Sequence, residues 1–408
     1  MVTAKGEEEH ARHRCIDVIR GPNGTAALVA VAAFLVFGLN STETSALPAY
    51  VMELGGGPFV ASLQNSLFVL IAVLLRIPLE RVVVRRGCRF AMVLGALGYT
   101  VPCLLLAGCS ELWQVLSLRL AQALGLAAFQ PSVSQYLTAS SPSPVLGRHL
   151  GIVRFATTAS LMVGPVSVFP LIVEQGYGAF FTALAVVGAC GTAIACALPG
   201  RKPAAASKRP AQAVPRSDAS DAGSLQMRQK ALLLIGPFLL ASGYSVVMNF
   251  GQLLSRSALA GFNDGVLFTC LSAGGLVGSL AAGWAADRFG PKRAVACTIA
   301  ANGLGLLLMG IAVGPLPVLT GSLLCGAGYF GGIATLIAAA GTSLGGGAST
   351  FLARQQSGLD LGMIVGGLAA GLMMQAGLPL AAAFSTASAA AAAALLAWGM
   401  MYPRRKDA

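Results

Sequence analysis

Apolar residues along this chain gather into long unbroken runs separated by short polar breaks. The runs cover 26–47, 59–79, 90–109, 112–137, 150–173 and 179–198, and after a longer break 231–254, 265–286, 294–313, 317–342, 350–375 and 379–401. Each is long enough for a helix to cross a hydrocarbon layer of about 30 Å. Continuous rather than alternating apolarity speaks against a membrane β-barrel. The predicted fold is an all-α polytopic membrane protein with twelve transmembrane helices in two six-helix bundles, at 25–198 and 231–402. The break at 199–230 is rich in Pro, Ala, Ser and charge, and such a composition makes a solvated linker, because it cannot bury a core. Short tails, 1–24 and 403–408, complete the predicted layout.

Composition agrees with a lipid-facing surface. Only 10% of the 408 residues are charged, against roughly a quarter in soluble domains. The 51 glycines let helices approach closely where lipid removes the hydrophobic drive for their association. A net charge of +12 is not read here as a nucleic-acid footprint. Apart from Arg76, Arg119, Arg154 and Arg256, the Lys and Arg residues fall in one alternate set of loops, the tails or the linker, with Arg354 at the adjoining end of its run. That asymmetry sets membrane orientation and predicts both termini in the cytoplasm, with the chain multi-pass in a bacterial-type inner membrane. The segment before the first run lacks an apolar core and a small-residue cleavage site, so the first run is expected to be retained. The nine cysteines are scattered and form no C-x-x-C pair. No histidine lies near them at metal-ligand spacing, and no Gly-x-x-x-x-Gly-Lys phosphate loop occurs. Neither an enzyme, a metal site nor a resident cofactor is expected.

Two loops repeat. Arg85, Gly87 and Arg89 meet Arg288, Gly290 and Lys292 at a constant offset, as in transporters built from duplicated bundles. The second loop, Gly283-x-x-x-Asp287-Arg288-x-Gly290-x-Lys292-Arg293, resembles the loop motif of the major facilitator superfamily. The resemblance runs from the first span to the last. It implies two six-helix bundles flanking a central solute path, and a role for these loop residues as a conformational latch. The first copy departs from the pattern, with Glu80 in place of the glycine and Val84 in place of the acid. Arg119-Leu-Ala-Gln122-Ala-Leu-Gly125, followed by Gln130-Pro131, is similar to the family's fourth-span motif. Gly164-Pro165 looks like a degraded form of its antiporter motif.

Ionisable groups at membrane depth are functional candidates. Asn40, Glu43 and Thr44 fall at i, i+3, i+4 on the first helix, so that face is expected to line a cavity. Glu43 and Arg119 lie at similar depth and are predicted to pair; Glu43, Asp360 and Arg119 are the proton-coupling candidates. Asp360, near the membrane midplane, has no cation one turn away. Arg76 and Arg154 lie near inner helix ends and can snorkel to the cytoplasm, or Arg154 can meet an anionic solute. Asn40, Arg154, Gln130, Asn249 and Gln252 are the solute-path candidates, with Gln64, Asn65 and Asn302 as further polar positions. These features lead us to expect a monomeric secondary transporter that exports a small molecule (a drug, an amphipathic metabolite or a siderophore-like compound) in exchange for protons. Its partners are the solute and the lipid bilayer. Solute uptake and a non-transporting membrane sensor are the alternatives.

Overall fold

The computed structural model describes residues 21–200, 227–259, 261–344 and 348–401. The expected tail 403–408 lies outside these residues, as do most of the tail 1–24 and of the linker 199–230. Among the described residues the chain is helical throughout, with no strand. The helices are α1 (Pro22–Glu53), α2 (Pro58–Arg86), α3 (Cys88–Leu106), α4 (Leu112–Ser140), a 55-residue element Ser143–Ala197, α7 (Met227–Ala258), α8 (Val266–Phe289), α9 (Pro291–Gly310), α10 (Pro315–Leu344), α11 (Ala348–Gln375) and α12 (Leu380–Met401). At 1.5 Å per residue the 55-residue element would run about 80 Å, well beyond one crossing. It is divided at Gly176, whose φ of 82° and ψ of 178° break the helix in a region glycine reaches at little cost. The two pieces, 143–175 and 177–197, are α5 and α6.

Ten helices among the described residues are long and apolar enough to cross a membrane, with the 55-residue element counted once. Dividing that element and adding α2, whose stretch 58–75 carries no charge, gives twelve helical segments.

In the first half α1 packs on the α5–α6 element, α2 on α4, and α3 on α4 and α6. In the second, α7 packs on α11, α8 on α10, and α9 on α10 and α12. Three main seams join the halves, α2 with α11, α5 with α8, and α1 with α7, and α2 also touches α7. The first two exchange places under the internal repeat. The repeat also appears in the backbone: Gly87 (φ 90°, ψ 160°) and Gly290 (φ 82°, ψ 154°) make the same turn between consecutive helices. Close helix approach rests on small residues, as at Gly362 against the Phe238 carbonyl and Gly366 against Ser242 on the α7–α11 seam. No side-chain carbon fits there, which suits helix association in lipid.

Helix direction alternates, so one face collects the turns at Gly87 and Gly290, and the other the ends of α1 and α7 at Glu53 and Ala258. Among the described residues, α4 touches no helix of the second half and α10 none of the first. Among the described residues, the hydrogen bonds between the halves lie at mid-depth or towards the Glu53 end. Among the described residues the halves are therefore parted at the Gly87–Gly290 face, the open face, and joined at the other, the latched face.

Candidate functional site

A cavity of about 490 Å³ lies between the halves. From the first half α1 contributes Asn40, Ser41 and Thr44, α2 contributes Asn65, Phe68 and Arg76, α4 contributes Gln130, and α5 contributes Arg154. From the second come Tyr244, Ser245 and Asn249 on α7, Tyr329 and Phe330 on α10, and Gln356 and Asp360 on α11. Helical spacing explains the sets. Asn40 and Thr44, or Ser245 and Asn249, stand one turn apart on one face.

Two charge systems sit at this cavity. On the seam between the halves, Arg76 Nη1 donates to Asp360 Oδ2 at 2.5 Å, and Arg76 Nη2 to Oδ1 at 3.4 Å. Gln356 Nε2 adds a bond to Asp360 Oδ1 at 3.3 Å. The second system lies behind the first half's wall. Arg119 and Glu43 are fully buried, with Nη1 and Oε1 3.9 Å apart. Gln122 stands between them, accepting from Arg119 at 2.9 Å and donating to Glu43 at 2.7 Å. Arg119 Nη2 reaches Thr44 Oγ1 at 2.7 Å and Asn65 Oδ1 at 2.9 Å, both on the cavity wall. Asn65 Nδ2 then donates to Asn249 Oδ1 across the halves at 2.9 Å. The Phe68 ring lies under the guanidinium, 3.8 Å from its centroid, so the buried cation has both donors and a π-face to replace water. A polar path thus links Glu43, itself off the cavity, to the opposite half. Among the described residues the second carboxylate oxygen of Glu43 has no hydrogen-bond partner.

The latched face has its own cluster. Arg256, at the end of α7, donates to Glu53 Oε1 at 3.0 Å and to Asp264 Oδ2 at 3.0 Å. Tyr177 at the start of α6 donates to Glu53 at 3.2 Å. Below it Asn263 Nδ2 donates to the Val166 carbonyl at 2.7 Å, and Gly265 lies against the Val166 backbone too closely for any side chain.

Of the solute-path candidates, Asn40, Gln130, Arg154 and Asn249 stand on the cavity wall. Gln252 does not; it is buried off the cavity, and neither of its amide atoms has a partner. Glu43 also departs from the expected polar face, because a step of three residues rotates it off the Asn40–Thr44 line and into the first half. Asp360, which lacked a local cation in the sequence, receives one from another helix. Arg76 reaches sideways to it rather than to the water beyond the helix end.

The loop residues lie at the open face. Gly283, Asp287, Arg288, Arg293 and Arg85 are exposed, and Asp287 makes no ion pair among the described residues. Arg288 lies over the Trp284 ring at 5.5 Å. The Lys292 carbonyl accepts from Trp398 Nε1 at 3.0 Å, and Arg89 donates to the Cys196 carbonyl within its own half. In this arrangement none of these contacts joins the halves.

Sequence reasoning missed the Glu53–Arg256–Asp264–Tyr177 cluster. A usable signal was there, since Arg256 is the lone cation placed at the outer helix ends and Glu53 and Asp264 lie at the same level. Tyr244 and Tyr329 were missed because aromatic residues on an apolar helix carry no mark that separates cavity from core.

A family model described as the Major Facilitator Superfamily matches residues 29–263, more than half of the chain. No curated protein sequence matches. Among solved structures, the nucleoside transporter NupG aligns with a TM-score of 0.76 at 12% identity, covering 94% of this chain and 100% of that one. A bacterial homologue of the human lysosomal transporter Spinster, inward-facing and unoccupied, gives 0.68 at 14%, covering 93% and 95%. A POT family transporter in complex with 5-aminolevulinic acid gives 0.74 at 12%, covering 91% and 94%. At such identities the likeness is one of fold.

Proposed function

The chain belongs to the Major Facilitator Superfamily, and from that premise we propose that it is a secondary active transporter that exports a small solute by alternating access, in exchange for protons. The observation that carries this reading is the Arg76–Asp360 pair, which joins the two moving halves on the wall of a cavity open to one face. The open face is taken as cytoplasmic because the helix-end cations Arg81, Arg85, Arg86, Arg89, Arg148, Arg288, Arg293 and Arg354 gather there.

In this cycle the solute enters from the cytoplasm while Arg256 holds the outer ends together. Solute contacts with both halves favour closure at the open face and rupture of the outer cluster. That movement shears α2 against α11 and separates Asp360 from Arg76. A carboxylate stripped of its cation at membrane depth takes up a proton, here from outside. On return Arg76 reclaims the carboxylate and the proton leaves to the cytoplasm. The Glu43–Gln122–Arg119 relay supplies a second coupling route, because the cavity residues Thr44 and Asn65 bond directly to Arg119.

The test uses proteoliposomes carrying an internal pH reporter and a broad solute panel. Wild type is expected to show proton movement on solute addition, and Asp360→Asn to lose it. Solute flux without proton movement, unchanged in Asp360→Asn and Glu43→Gln, refutes the coupling.

A further inference from the structure

The cavity wall carries three charged side chains, Arg76, Arg154 and Asp360. Arg76 and Asp360 neutralise each other. Among the described residues Arg154 has no ion pair and its guanidinium donates no hydrogen bond; Thr157 and Thr158 bond only to its backbone carbonyl. Two arginines against one carboxylate leave a single positive charge on the wall, and it belongs to Arg154. Glu43 and Arg119 do not alter this count, because neither lines the cavity and they lie beside each other.

Opposite, on the second half, stand Tyr244 and Tyr329. Their rings stack in parallel, 4.0 Å between centroids at 4°, with Phe330 edge-on to both at 5.9 and 5.0 Å. Both tyrosines are more than nine-tenths buried and both line the cavity. Among the described residues neither phenol oxygen makes a hydrogen bond, and neither is one of the fully buried polar atoms, so both hydroxyls open on the cavity. Arg154 and both tyrosines line the same cavity. One free cation and two free O–H donors therefore converge on the same space, bordered by an aromatic wall.

Resting on the transport reading above, we infer that the solute is a small organic monoanion with a flat apolar body. Its carboxylate-type group accepts from Arg154 and from the phenols of Tyr244 and Tyr329, and its body lies along Phe330 and the tyrosine rings. A cation would meet Arg154 with no uncompensated carboxylate on the wall to offset it, and a neutral solute would leave the charge unanswered. The cavity volume is in the range of sites that enclose small organic ligands. Because Arg154 belongs to the first half and the tyrosines to the second, such an anion bridges the halves and favours their closure over it.

The test is isothermal titration of the purified full-length protein with three probes of one shape: 2-naphthoate, 2-naphthamide and 2-naphthylmethylammonium. Naphthoate is expected to bind, with the amide and the ammonium about tenfold weaker or more, the scale of one charge-assisted hydrogen bond. Arg154→Gln should lower naphthoate affinity to that of the amide and leave the amide itself unchanged. Arg154→Lys should retain part of the preference, and Tyr244→Phe and Tyr329→Phe should each weaken naphthoate severalfold. Arg154 faces open space, so its variants should remain monodisperse, which size-exclusion chromatography checks. Equal or tighter binding of the amide or the ammonium overturns the inference. So does unchanged naphthoate affinity in Arg154→Gln, or no naphthoate binding at all. Binding in detergent needs no proton gradient, so loss of the coupling mechanism in proteoliposomes would leave this outcome standing, and the reverse also holds.

Discussion

Arg76 on α2 and Asp360 on α11 stand 284 positions apart in the chain and meet at 2.5 Å on the seam between the halves. A contact of this kind exists in one arrangement of the halves and is strained or lost in another, which is what coupling requires. Asp360→Asn keeps a group for Arg76 and Gln356 to bond but removes the negative charge. Counterflow of labelled solute without a gradient should persist, while gradient-driven transport falls to background. Arg76→Gln should show the same split, and the reversed pair, Arg76→Asp with Asp360→Arg, should recover part of the driven flux.

The Arg256 cluster holds the latched face through partly exposed groups, so it is worth only about 1 kcal/mol. Arg256→Ala should therefore shift the open-to-latched distribution by about fivefold rather than abolish transport. A cysteine reporter at Met248, on the cavity wall, should become severalfold more reactive to a membrane-impermeant thiol reagent applied from the latched face. Unchanged reactivity would remove the cluster from the gate.

Arg119 and Glu43 are fully buried partners, and removing one strands the other. Arg119→Leu alone is expected to cost roughly 3–5 kcal/mol. The double variant with Glu43→Leu should recover much of that loss, since a hydrophobic pair of similar volume is often as stable as a buried ion pair. Denaturant unfolding of purified protein closes this cycle, and strict additivity would show that the two do not interact.

Gly87 and Gly290 occupy a backbone region that other residues enter only at about 1–3 kcal/mol. Alanine at either should lower the melting temperature. Gly283 is exposed, helical, and has nothing within 4 Å of where a side-chain carbon would sit. Gly283→Ala should leave stability unchanged or raise it by a few tenths of a kcal/mol. Equal effects at all three positions would contradict the turn geometry.

Much of the scaffold was legible in the amino-acid order. Run length against membrane thickness located the helices, although three ends, at Glu53, Arg86 and Ser143, lie about six or seven residues beyond the runs, and it placed the break between 173 and 179 that Gly176 makes. The offset between the two loop motifs anticipated two turns of matching φ and ψ. Equal depth placed Glu43 beside Arg119. These are local properties, periodicity and distance along an axis, and the bilayer enforces them on each span separately because every backbone polar group must bond within its own helix.

What the chain alone left open is how each helix turns about its axis and what it meets there. Lipid and protein interior are equally apolar, so the usual contrast between an inner and an outer face fades, and nothing in α1 announced that Asn40 faces the cavity while Glu43 faces inward. Arg76 read as a side chain reaching for water and Asp360 as a carboxyl without a cation, since each is blind to the other at 284 residues' separation. The Arg256 cluster and the placing of Arg154 and the Tyr244–Tyr329 stack around one cavity are likewise products of packing. The sequence determined a twofold-repeated set of membrane helices with charges stationed at particular depths. Only the tertiary structure, by rotating those helices and bringing one half against the other, decided which charges neutralise each other and which one is left facing the cavity.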